Sequence, residues 1–150
     1  MSLEDNIRVL ERTPVLAEIG REALKLLAFS AEQKNLADNE RLFERGAHAE
    51  CAYTVVSGRI RLDSDDEVRV VGPGALIGET ALIVDALRPC DAFAEGPARV
   101  LIVPRSLFLK MLEEFPQIAG ALRGRLIQRM RGQYSELARI QDDLDQLPRS

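Results

Sequence analysis

A glycine–glutamate pair and an arginine nine positions after the glutamate are the residues whose types and spacing suit the binding of an anion. Gly78 and Glu79 are predicted to open a single helical turn that ends at Ile83, and Arg88 follows within the segment 74–90. The first N–H groups of a helical turn have no acceptor within the turn, and a glycine lets an oxyanion approach them closely. The spacing therefore predicts a phosphate site.

Arg88 and Glu79 complement the two halves of a nucleotide. The planar guanidinium of Arg88 can donate two parallel hydrogen bonds to a phosphate. Ionised Glu79 only accepts hydrogen bonds, and a ribose hydroxyl donates one. Taken singly, each residue also fits a plainer role, since Gly78 suits a turn, Glu79 a helix start and Arg88 a solvated loop.

The segment around these residues resembles the phosphate-binding cassette of cyclic nucleotide-binding domains. The match is IGETAL at 77–82, followed by the arginine in the same register. LFERG at 42–46 and YTVVSGRI at 53–60 resemble the early strands of that β-roll, and VGPG at 71–74 resembles the turn that leads into the cassette. The resemblance implies that cAMP or cGMP is bound by Gly78, Glu79, Thr80, Arg88, Pro89 and Cys90.

One position departs from the pattern of the family. Relatives usually carry a small residue after the arginine, and its N–H, often with a hydroxyl, contacts the phosphate. Here Pro89 has no N–H to donate and Cys90 has no hydroxyl. Losing one charge-assisted donor costs about 1.5–3 kcal/mol of affinity. Two functions are therefore open: a regulatory domain that binds a cyclic nucleotide, or a degenerate β-roll that serves interaction and dimerisation without a nucleotide.

The elements that must position the cassette belong to an α+β fold that is mainly β. Short segments rich in β-branched residues predict many small strands at 31–103, and the resemblance implies that they form a double-stranded β-helix, or jelly-roll β-roll. The acidic segment 63–67 and the segment 95–97 are predicted to be hairpin tips. Helices are expected at 3–11 and 21–29, so that N-terminal helices at 1–30 and C-terminal helices at 105–147 flank the roll in a single domain.

A long C-terminal helix is expected to begin at Pro116 and to run to about Leu147. Apolar residues recur at heptad spacing over 126–147, so this helix either pairs two subunits into a homodimer or packs on its own domain. In the family that the chain resembles, the corresponding helix pairs subunits or closes over the base and links occupancy to an effector, which the sequence does not name. The polar residues expected to meet a purine are Gln128, Arg131, Gln133 and Ser135.

Composition excludes several function classes. A net charge of −4 and the lack of a helix-turn-helix segment after Leu147 argue against direct DNA binding. The lone histidine, His48 in a predicted turn, and two cysteines without metal-ligand spacing argue against a metal site, a resident cofactor and an enzyme. The chain also has no signal-peptide pattern and no long apolar run, so we expect a cytoplasmic protein. Arg88 and a nearby helix N-terminus are expected to favour the thiolate of Cys90.

Overall fold

The computed structural model describes residues 3–13 and 16–133 of the 150-residue chain. The helices are α1 (Leu3–Arg12), α2 (Arg21–Ser30), α3 (Arg105–Glu114) and α4 (Pro116–Gln133), with 3₁₀ helices at Leu16–Glu18 and Glu79–Leu82. The strands are β1 (Glu32–Leu36), β2 (Arg41–Phe43), β3 (His48–Ala49), β4 (Cys51–Asp63), β5 (Val68–Val71), β6 (Leu76–Ile77), β7 (Ala86–Leu87) and β8 (Asp91–Pro104).

Strand β8 organises the larger sheet. It pairs antiparallel with β1, β2 and β4, and β4 in turn pairs with β5 and β6. The predicted hairpin tip at 63–67 is confirmed, because it joins β4 to β5 and Ser64 N–H donates to the carbonyl of Glu67 at 3.0 Å. The mainly β roll with flanking helices, predicted from the sequence, is therefore the fold that the structure shows.

A separate two-stranded ladder delivers the chain to Arg88. In this ladder His48 of β3 lies opposite Leu87 of β7, and Ala49 lies opposite Ala86. Because β7 ends one residue before Arg88, the ladder fixes where the arginine enters the roll. The prediction that His48 lies in a turn is wrong: the turn closes earlier, where Ala47 N–H donates to the carbonyl of Glu44 at 3.1 Å, and His48 is an exposed strand residue.

The prediction of a hairpin tip at 95–97 is also wrong. Strand β8 runs through this segment without reversing, and the register shifts on the facing strand lie between Val55 and Arg59. Gly58 and Gly96 both have positive φ, 77° and 79°, which marks a bulged region. A Cβ at Gly58 would lie 2.4 Å from the carbonyl oxygen of Pro97, so only glycine fits this close approach.

Two apolar cores hold the site from opposite sides. One lies inside the roll, and Val55, Ile60 and Val100 are fully buried there. The other lies under the helices, and its buried members include Ile7, Leu10, Leu24, Leu27, Phe108 and Met111. Leu82, the last residue of the 3₁₀ helix Glu79–Leu82, is fully buried in this second core. Leu82 thus anchors the cassette to the helical layer, and its truncation to alanine is expected to lower the stability of the fold by about 2–5 kcal/mol.

The helix ends agree with the sequence signals. Helix α1 buries Ile7 and Leu10, as its periodicity predicted, together with Asn6 and Val9. Helix α4 begins at Pro116, where a missing N–H costs little. The heptad segment beyond Gln133 lies outside the described residues. No helix within residues 3–13 and 16–133 combines the length and the apolar character needed to cross a membrane.

Candidate functional site

A cavity of about 300 Å³ lies between the cassette, the β4–β5 hairpin and the β3–β7 ladder. Its wall includes all six residues that the resemblance implied for binding of a cyclic nucleotide: Gly78, Glu79, Thr80, Arg88, Pro89 and Cys90. Apolar side chains from the strands, among them Phe43, Leu62 and Ile77, complete the lining. The structure therefore brings the cassette residues together around one space, as their spacing predicted.

Gly78 begins the cassette turn, the 3₁₀ helix Glu79–Leu82. It has left-handed backbone angles, φ 76° and ψ 33°, that favour glycine. Its carbonyl accepts from Ala81 N–H at 3.1 Å, and the turn closes when Ile83 N–H donates to Thr80 at 3.2 Å. The predicted single turn through Ile83 is confirmed, and its first residues, Glu79 and Thr80, line the cavity.

Arg88 is held inside the protein with only 5% of its surface exposed. Its backbone is fixed by hydrogen bonds in both directions, from its N–H to Ala47 at 2.8 Å and from Gly46 N–H to its carbonyl at 2.9 Å. Its Nη2 donates to the carbonyl of Cys51 at 2.8 Å. Its Nη1 is buried and has no hydrogen-bond partner among residues 3–13 and 16–133. The site therefore contains a buried cation with an unused donor.

Gly78 and Arg88 fit against each other directly. A Cβ added at Gly78 would lie 2.4 Å from Nη1 of Arg88, far inside contact distance. The guanidinium thus occupies the space that the glycine leaves open. The cassette glycine therefore has two roles, since it permits the left-handed turn and it makes room for the arginine.

Glu79 is buried as deeply as the arginine, with 3% of its surface exposed. As the first residue of the cassette turn it contributes to the cavity wall. A carboxylate and a guanidinium beside one cavity provide an acceptor and a set of donors. This combination suits a ligand that carries both hydroxyl groups and an anionic group.

A family model for the cyclic nucleotide-binding domain matches residues 33–115, which is more than half of the chain. The chain belongs to the cyclic nucleotide-binding domain family. The matched segment contains the cavity-lining residues described above, from Phe43 to Cys90.

Solved structures of family members are similar in fold. A cyclic nucleotide-binding-like protein from Brucella abortus is 39% identical and superposes with a TM-score of 0.64 over 73% of this chain and 98% of that one. The regulatory domain of Toxoplasma gondii PKA, solved with cAMP, is 25% identical with a TM-score of 0.66, over 73% of this chain and 44% of that one.

A curated relative is similar to this chain over only a small part of its own length. Lysophospholipase nte1 of Aspergillus oryzae is 27% identical over 138 residues, which cover 83% of this chain but 9% of that protein. The similarity therefore concerns a small part of a much larger chain.

The thiol of Cys90 is less acidic than the sequence predicted. Burial and the nearby carboxylate of Asp91 raise the pKa of the Cys90 thiol, and the opposing effects of Arg69 and Arg88 are smaller. The expectation of a favoured thiolate is wrong, because a half-buried thiol loses more solvation than the arginines return.

The residues predicted to face a base are not part of the described cavity wall. Gln128 and Arg131 are exposed on α4, and the described lining does not include them. The side chain of Gln133 and the whole of Ser135 lie outside the described residues. The assignment of these four residues stays a prediction.

Three contacts of Arg88 were not predicted from the sequence: Phe43, Cys51 and Tyr53. The Cζ atom of Arg88 lies 4.5 Å from the ring centroid of Phe43 and 5.3 Å from that of Tyr53. The two aromatic residues were assigned only to strands, since nothing in their spacing relates them to an arginine at position 88. Arg69 of β5 also lines the cavity and was not predicted.

Proposed function

We propose that this domain is a non-enzymatic regulatory module that binds a cyclic nucleotide, cAMP or cGMP, in the cavity beside the cassette. The observation that carries the proposal is the buried Nη1 donor of Arg88, a residue of the cavity wall, which has no hydrogen-bond partner among the described residues. An unsatisfied buried donor costs about 1–3 kcal/mol, and more when it is charged. A cyclic phosphate that draws the guanidinium toward the cavity supplies the missing acceptor and neutralises the charge.

The other cassette residues have complementary parts in this proposal. The first N–H groups of the cassette turn donate to the phosphate beside Arg88. Glu79 accepts from a ribose hydroxyl, and Thr80 adds a hydroxyl of its own at the cavity wall. The cAMP bound by the similar PKA regulatory domain supports a nucleotide of this class.

The output of the domain is a shift of its C-terminal helices. The cassette turn contacts β4, α3 and α4, and Leu82 anchors it in the core beneath the helices. A ligand that prefers one position of the turn therefore also favours one arrangement of α3 and α4. This shift is the signal that we expect an effector protein to read.

Location in the cytoplasm is part of the same proposal. Cys51 and Cys90 are both free thiols in the structure. Free cysteines persist in a reducing compartment, which fits a cytoplasmic regulatory domain.

Isothermal titration calorimetry with cAMP and with cGMP tests the proposal. Wild-type protein is expected to bind one nucleotide per chain, and Arg88→Ala to lose most of the affinity. The absence of heat at millimolar concentrations of both nucleotides would remove the proposal.

Pro89 favours a second function, an interaction module that binds no nucleotide. It occupies the cavity wall at the position where relatives donate an N–H, and it has none. Such a module acts as a homodimer paired through the heptad segment 126–147. Sedimentation then gives a dimer that cAMP and cGMP do not change, together with a melting temperature that neither ligand raises.

A further inference from the structure

We propose that Phe43 and Tyr53 form an aromatic clamp that positions Arg88 for the anion. The proposal rests on the proposed function, and it adds two positioning residues outside the cassette. In the clamp the faces of the aromatic rings stabilise the guanidinium while Nη2 is bonded to Cys51, and Nη1 remains as a donor for the ligand.

The geometry of the cluster carries this inference. The rings of Phe43 and Tyr53 are stacked, with centroids 5.9 Å apart and an interplanar angle of 23°. Cζ of Arg88 lies over both, at 4.5 Å and 5.3 Å from their centroids. Both distances are within the range of about 6 Å over which an aromatic ring attracts a cation.

The clamp and the backbone hold different parts of the arginine. Strand β4 supplies both the ring of Tyr53 and the carbonyl of Cys51 that accepts from Nη2. Strand β2 supplies Phe43 and leads into the turn at Gly46, whose N–H donates to the carbonyl of Arg88. The guanidinium of Arg88 is therefore held by side-chain and backbone groups of β2 and β4, and its main chain by the turn that follows β2.

Burial gives the clamp its importance. An arginine that is 95% buried has lost most of its hydration, and a cation–π contact is stronger in such a place than on the surface. A tyrosine is neutral near pH 7, and burial moves the pKa of Tyr53 still further from neutrality, to about 12. Tyr53 therefore adds no negative charge that competes with the phosphate for Arg88.

The clamp predicts a specific loss when an aromatic ring is removed. Phe43→Leu is expected to weaken binding of cAMP or cGMP about 2- to 30-fold, because the guanidinium loses a cation–π contact and samples more positions. Phe43→Tyr, which restores a ring, is expected to recover most of this loss. The matched control is Phe93→Leu, which removes a second cation–π contact, Arg61 over Phe93 at 5.0 Å, from residues that do not line the described cavity.

The experiment combines calorimetry with thermal unfolding. Nucleotide affinity is measured for wild type, Phe43→Leu, Phe43→Tyr and Phe93→Leu. A double-mutant cycle is measured without ligand, from the Tm values of wild type, Phe43→Leu, Arg88→Met and the double variant. If the ring acts on Arg88, the two Tm losses are non-additive by about 2 °C or more. Phe43→Leu is also expected to shift the side-chain NMR resonances of Arg88, which lie near the aromatic rings.

The outcomes separate the clamp from the proposed function. The clamp is supported if Phe43→Leu weakens binding, Phe43→Tyr restores it and Phe93→Leu leaves it unchanged. It is overturned if Phe43→Leu binds like wild type, or if the two Tm losses simply add. If wild-type protein binds neither nucleotide, the proposed function fails, and the ligand-free cycle and NMR shifts alone decide whether the rings hold Arg88.

Discussion

Gly78→Ala perturbs the cassette at the point where its backbone and Arg88 meet. The added Cβ would lie 2.4 Å from Nη1 of Arg88 and 3.7 Å from the carbonyl oxygen of Cys51. The guanidinium must therefore move away from its bond to Cys51 or the cassette turn must open. Alanine would in addition have to adopt φ near 76°, which an L side chain disfavours.

Two separate losses follow from this geometry. The left-handed backbone costs about 1–2 kcal/mol of stability, which lowers the Tm of a chain of this size by roughly 2–8 °C. Displacing the guanidinium removes a charge-assisted hydrogen bond to the ligand, worth about 1.5–3 kcal/mol, so affinity for a cyclic nucleotide falls roughly 10- to 150-fold.

Thermal unfolding and calorimetry on one set of variants separate the two losses. Gly96→Ala is the control, because Gly96 has φ 79° and an added Cβ would meet nothing within 4 Å. Both variants are expected to lose stability, and only Gly78→Ala is expected to lose affinity. Equal affinities for Gly78→Ala and wild type would refute the idea that the glycine makes room for a ligand-binding arginine.

Three further predictions concern stability and reactivity. Nucleotide at a hundred times its Kd is expected to stabilise the protein by about 2.7 kcal/mol and to raise its Tm by several degrees. Arg88→Met is expected to abolish this rise in Tm. An equal rise in the wild-type protein and the variant would contradict a role of Arg88 in binding. Burial and Asp91 raise the pKa of Cys90, so iodoacetamide at pH 8 should modify Cys90 more slowly in the folded than in the unfolded protein. Peptide mapping measures the two rates. Faster modification of the folded protein would contradict this prediction. Gly58→Ala brings a Cβ against the carbonyl oxygen of Pro97 and should lower the free energy of unfolding in urea by about 2–4 kcal/mol. A smaller loss than that of Gly96→Ala would show that the bulge adapts to the added Cβ.

The local parts of the structure could be predicted because their signals lie close together in the sequence. The apolar spacing of Ile7 and Leu10 specifies α1, and the Gly78–Glu79 pair specifies the cassette turn. The register of Arg88 with that turn also follows from a short segment. These features depend on contacts within about ten residues, which pattern and propensity describe well.

The errors arise where distant segments decide the outcome. A glycine of positive φ fits either a hairpin tip or a bulge, and only the pairing of β8 with β4 shows that Gly96 lies in a continuous strand. Proximity in sequence suggested that Arg88 would favour the thiolate of Cys90, and Arg88 does lower the pKa of that thiol, but the burial of Cys90 in the fold, together with Asp91, raises it by more. The aromatic clamp escaped prediction for the same reason, because β2 and β4 must fold together before Phe43 and Tyr53 meet Arg88.

The most direct test of the central claim is a crystal structure of the protein with cAMP or cGMP. The account predicts the cyclic phosphate in the cavity, within hydrogen-bond distance of the Arg88 guanidinium and of the first N–H groups after Gly78, with Phe43 and Tyr53 still against the arginine. A bound nucleotide whose phosphate lies elsewhere, with Nη1 of Arg88 still lacking an acceptor, would contradict it.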